Sequence, residues 1–122
     1  MLTKIVSAHT FPGAVPALLT WADGDSEYLA DLVASFCAEV PQLVRSLSRE
    51  AGAGNSQAVC RAAQHLQGKL VHVGVPELGS LAATIEDLGR TRDLGAAAPL
   101  VDELEVILDG LCAYLAKKPW IR

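Results

Sequence analysis

Few aromatic residues stand in this chain: they make up 5% of it, against 51% hydrophobic residues of all kinds. Charged residues account for 20%, and that balance excludes a disordered chain and reads as a helical globule with an aliphatic core. No stretch alternates apolar and polar residues with a period of two, so sheet content should be near zero. No apolar run of membrane-spanning length occurs, and the opening Met1-Leu2-Thr3-Lys4-Ile5-Val6 lacks the long apolar core of a secretion signal. The expected compartment is therefore the cytoplasm, with no membrane partner.

Basic residues are also scarce. Ten Lys and Arg face fourteen Asp and Glu, for a formal charge of −4. No Lys/Arg stripe gathers on one stretch, and nucleic-acid binding needs such a face. The three cysteines, Cys37, Cys60 and Cys112, show no CxxC spacing. They read as reduced, packed thiols rather than a disulfide framework or zinc site. The metallopeptidase HExxH, a glycine-rich nucleotide loop after a strand, and a Ser-His-Asp constellation are all missing. No enzyme, metal or cofactor is expected. Asp102, Glu103, Glu105 and Asp109 are spaced as a solvated helix face, and Asp31 and Glu39 read the same way.

What is present is helical periodicity over most of 122 residues, enough for one domain. Residues 1–13 are weakly patterned, carry His9 without a discernible role, and end in a Phe11-Pro12-Gly13 turn. A short helix from about Val15 to Trp21 would set Leu18, Leu19 and Trp21 against the rest as a lid. Asp23-Gly24-Asp25 breaks it, with Asp25 placed to cap the next helix and Glu27 in its first turn. From Ser26 to about Glu50, Leu29, Leu32, Val33, Phe36, Val40, Leu43, Val44 and Leu47 recur at steps of mostly three and four, which predicts a long amphipathic helix kinked at Pro41.

After an Ala51-to-Asn55 loop, with Asn55 or Ser56 as cap, a helix should run from about Ser56 to Val73 and end at a left-handed Gly74. Pro76 fits the first turn of the following helix, whose face is Leu78, Leu81, Ile85 and Leu88. That helix should end near Gly89 or Thr91. The last helix should start between Ala96 and Pro99, bury Leu100, Leu104, Ile107, Leu108, Leu111 and Leu115, and stop at Pro119 behind Lys117 and Lys118. The expected fold is all-α: an antiparallel up-down four-helix bundle over 14–118 with a short N-terminal capping helix, followed by a tail at 119–122.

The stretch Ala62-Ala63-Gln64-His65-Leu66-Gln67-Gly68-Lys69-Leu70-Val71-His72-Val73-Gly74 is the most informative. At 100° per residue, Val59, Ala62, Leu70, Val73 and Glu77 lie within about 40° of Leu66, so one face is apolar. Arg61, Gln64, Gly68 and Val71 point outward, and His65 and His72 sit at the border. The two histidines are about 10 Å apart along such a helix, too far to share one metal. An interior glycine costs a helix roughly 0.5–1 kcal/mol against alanine. Gly68 on the outer face implies close approach by a partner rather than packing within the chain.

This stretch resembles the histidine-containing phosphotransfer (HPt) family, whose signature reads roughly A-H-x-L-K-G with a glycine six residues on and a leucine four beyond. The matching residues are Ala63, Leu66, Gly68, Gly74, Leu78 and the Ile85-Glu86 pair. Gly24-Asp25, Phe36, Pro41 and Gly89-Arg90 extend the resemblance over about 14–116. In this register the phosphohistidine position is occupied by Gln64, and a position usually held by a helping lysine by Gln67. Shifting the register to make His65 the acceptor displaces Leu66, Gly68 and Gly74 together, a rotation of about 100°.

A phosphoryl acceptor needs an available lone pair, which neutral imidazole supplies. The amide nitrogen of Gln64 has its lone pair delocalised into the carbonyl, as in a peptide bond. It hydrogen-bonds a phosphate but does not carry one. The resemblance therefore implies a module that binds a response-regulator receiver domain or a sensor histidine kinase, as a monomer, without relaying phosphate. Arg61, Gln64, Gln67, Gly68 and Val71 are the expected docking residues, with His65, Lys69 and His72 at the rim. Two alternatives stay open: an active carrier using His65, and a bundle that only scaffolds or oligomerises.

Overall fold

The computed structural model describes residues 13–120. Among them are five helices and no strand: α1 (Ala14–Trp21), α2 (Ser26–Gly52), α3 (Ser56–Leu70), α4 (Pro76–Arg90) and α5 (Leu94–Ala116). The expectations for residues 1–12 and 121–122, His9 and Phe11-Pro12 among them, lie outside the described residues.

Three of the four connections use one device, a left-handed residue followed by an Asp or Asn cap. Gly24 has φ +79° and donates its N–H to Leu19 O at 2.8 Å, and Asp25 then accepts from the N–H groups of Glu27 and Tyr28. Gly54 (φ +77°) precedes Asn55, whose side chain accepts from Ala58 N–H at 3.2 Å. Arg92 (φ 64°) precedes Asp93, which accepts from Ala96 N–H at 3.3 Å. Each turn satisfies the last carbonyls of one helix and the first donors of the next. The α3–α4 connection differs: Gly74 is left-handed (φ +67°), Val75 makes no side-chain cap and Pro76 opens α4.

Each long helix packs on its neighbours in sequence, and α5 returns to α2; α1 lies on α2. The core they enclose is aliphatic, with Leu29, Leu47, Leu66, Leu78, Ile85, Leu104 and Leu111 fully buried and Phe36 the one buried aromatic among the described residues. No charged or polar residue is buried among the described residues. Leu18 is buried, and Leu19 and Trp21 pack against the core from α1, as the lid requires. The helix α2 runs unbroken through Pro41.

Some expectations need correction. The central helix ends at Leu70, before Val73, so His72 stands in a turn rather than on a helix border. Helical phase does not carry through that turn to Glu77, which is exposed. In α4 the buried positions are Leu78, Ala82, Ile85 and Gly89, with Leu81 and Leu88 only half-buried. Small residues take the innermost line because α3 approaches closely there: a Cβ on Gly89 would stand 3.0 Å from the backbone nitrogen of Cys60. The last helix begins at Leu94, earlier than Ala96, because Asp93 caps it. Ala97 and Val101 are buried there while Leu100 is half-buried. Trp120, in the expected tail, packs against the core.

Candidate docking site around Gly68

Gly68 lies in mid-α3, exposed, and a Cβ built there would meet no atom within 4 Å. Packing inside this chain therefore does not account for the missing side chain. Gln64, one turn earlier, and His65 are both exposed. They flank the bare position from opposite sides, since Gly68 follows Gln64 by four residues and His65 by three.

Arg61, Gln64, Gly68 and Val71 recur at steps of three and four, which sets them in one outward stripe. All four are exposed, Val71 at 72%. Of the other predicted residues, His65, Lys69 and His72 turn towards α2. His65, Gly68, Lys69 and His72 line a hollow of about 380 Å³ that opens beside the stripe. Its opposite wall is Leu32, Phe36 and Glu39 of α2, with Trp21 of α1 closing one end.

Two contacts shape this hollow. Lys69 Nζ donates to Glu39 Oε1 at 3.0 Å, bridging α3 to α2. The rings of Trp21 and His72 stack with centroids 4.5 Å apart and planes 3° apart. That stack holds the end of α1 against the α3–α4 turn, where Gly74 also meets Gly13 and Ala17. Trp21, Leu32 and Phe36 carried no site signal in the sequence, because their spacing is that of core residues. Gly68 lines the hollow without a side chain to enter it.

Gln67 departs from the expected docking face. It is half-buried, and its Nε2 donates to Glu86 Oε1 of α4 at 2.6 Å. Glu86 also accepts from Arg90 Nη2 at 2.9 Å, and Arg90 Nη1 reaches Asp87 Oδ1 at 2.6 Å. Gln67 thus joins α3 to a charged chain along α4 and turns away from the hollow. The sequence signal for this contact was the Ile85-Glu86 pair.

No group of three His, Cys, Asp or Glu side chains is arranged to hold a metal among the described residues. No described helix is long and apolar enough to cross a membrane. No curated protein and no solved structure matches the chain. The family model of the Hpt domain matches residues 31–114, which takes in all but the ends of the four long helices and every candidate residue on α3. The chain therefore belongs to the Hpt domain family, modules of two-component phosphorelays that interact with receiver domains and kinases.

Proposed function

We propose that this Hpt domain docks a response-regulator receiver or a sensor histidine kinase through the face around Gly68 without carrying phosphate itself. In this reading residues 14–118 form one antiparallel up-down bundle, monomeric, which acts by binding rather than catalysis. Arg61, Gln64, Gly68 and Val71 form the contact stripe, and His65, Lys69 and His72 its rim. Gln67 contributes by holding α3 to Glu86. The observation that carries the reading is the exposed Gln64 amide beside an unfilled Gly68, in the register where the family has its phosphohistidine. An amide offers no nucleophilic lone pair, and phosphoryl transfer depends on positioning and charge stabilisation at that atom. The half-apolar, open character of the surface suits a transient interface.

A second reading has one observation in its favour. The exposed ring of His65 lines the hollow together with Gly68, so a partner settling deeper towards α2 would meet an imidazole. Incubation with receiver domains phosphorylated by acetyl phosphate separates the two. The docking-only reading expects complex formation and no acid-labile phosphate on the chain. Acid-labile phosphate on the wild type, absent from His65→Ala, would overturn it in favour of a carrier. Gly68→Arg, whose Cβ would meet no atom within 4 Å, should keep the fold and lose the complex; unchanged binding would remove this face from the interface.

A further inference from the structure

Cys37 on α2 and Cys112 on α5 are far apart in sequence, yet the packing of α2 on α5 brings them to the wall of one cavity. Both are half-buried free thiols and both line a hollow of about 220 Å³ between α2 and α5. A small oxidant needs little more room than a water, about 30 Å³. Trp120 forms part of the same wall, and its Nε1 is the one buried side-chain polar atom without a hydrogen-bond partner among the described residues. An unpaired donor beside two sulfurs is a place where an oxygen-bearing sulfur or a peroxide oxygen would be accepted.

We propose that Cys37 and Cys112 form a peroxide-oxidisable pair that closes into a disulfide between α2 and α5. The chemistry balances with hydrogen peroxide as the oxidant. The Cys37 sulfur attacks one peroxide oxygen, the O–O bond breaks, and the second oxygen leaves as water after taking a proton. Cys37 is then a sulfenic acid. The Cys112 sulfur attacks the Cys37 sulfur, the S–O bond breaks as the S–S bond forms, and the hydroxyl leaves with the thiol proton as a second water. Two thiols have lost two electrons and two hydrogens to one peroxide.

The order of attack follows from the two settings. Interaction with Cys112 lowers the pKa of Cys37 against the opposing effect of burial, while interaction with Cys37 and burial push Cys112 up. Cys37 therefore holds the more thiolate character and attacks first, and Cys112 resolves. Cys60 gives an internal comparison. It lines a separate cleft with Ser56, Gln57 and Arg90, away from both.

The test treats the full wild-type chain with a small molar excess of hydrogen peroxide, alkylates remaining thiols, digests without reductant and reads peptide masses. The expected product is a Cys37–Cys112 cross-linked peptide lighter by two hydrogens, from monomeric protein, restored by dithiothreitol, with Cys60 still alkylated. Cross-links to Cys60 or between chains in place of that peptide would overturn the proposal, as would both thiols remaining alkylatable when Cys60 is already oxidised. In Cys112→Ala the sulfenic acid should persist on Cys37 and be trapped by dimedone. Trapping at Cys60 in preference to Cys37 would count against the pair even if the cross-link formed.

Discussion

The two sides of α3 make opposite uses of a glycine. Towards α4 the helices are pressed together: Gly89 is buried, and a Cβ there would meet Cys60 N at 3.0 Å and Ser56 O at 3.2 Å. Towards α2 and solvent the surface is left open, with Gly68 exposed above a hollow and no atom within 4 Å of the space its side chain would take. One glycine is required by the fold, and the other meets no packing demand among the described residues. The same division runs through the polar residues. Gln67 is spent on a half-buried bond to Glu86, whereas Gln64 is exposed.

The contrast can be broken in graded steps. The largest effect is expected at the turn that closes α3, where Gly74→Ala combines a left-handed φ of +67° with a Cβ 2.5 Å from Gly13 O. A loss of about 3 kcal/mol follows from strain and clash together, read as a lower denaturant midpoint. Gly89→Ala should cost about 2 kcal/mol, because backbone atoms of α3 must move to admit the methyl; a thermal scan showing no loss would mean that α3 and α4 are not in close contact. Removing the Gln67 side chain should cost about 1 kcal/mol, the usual worth of one side-chain hydrogen bond, and Gln67→Ala with Glu86→Ala should then be less than additive in a double-mutant cycle.

The open side should behave in the reverse sense. Gly68→Ala should stabilise the chain by roughly 0.5–1 kcal/mol, since the helix gains propensity and nothing is displaced. Destabilisation there, measured by urea unfolding, would show that the clearing is filled. The smallest effect belongs to Lys69→Ala. The Lys69–Glu39 pair has side chains 36% and 56% exposed, so its loss should move stability by no more than about 0.5 kcal/mol, and raised salt should change the wild type as little.

Much of this was legible in the residues. The 3.6-residue recurrence in Leu29 to Leu47 and in Leu104 to Leu115 set the faces of α2 and α5, because burial of one apolar stripe requires that spacing. Asp25 and Asn55 marked helix starts through their capping chemistry; Asp93 caps α5 in the same way, but apolar periodicity alone placed that start later. Periodicity misjudged α4 because it weighs side chains by size. Where two helices nearly touch, Ala82 and Gly89 are innermost and Leu81 and Leu88 are pushed to the edges. It also ran α3 three residues too far, because apolar phase alone does not see a turn forming before its glycine.

By itself the amino-acid order determined that the chain is helical and that Gly68 faces away from the core, and the proposed placing of Gln64 in the family's phosphohistidine register rests on that order alone. These are local matters, settled by spacing along one helix. Only the tertiary structure decided which residues from other helices face Gly68 and which draw Gln67 away from the exposed stripe of α3. It also set Cys37 and Cys112 on the wall of one hollow. Such pairings depend on how closely and at what height two helices meet, a distance set by the sum of many side-chain contacts and written in no single segment.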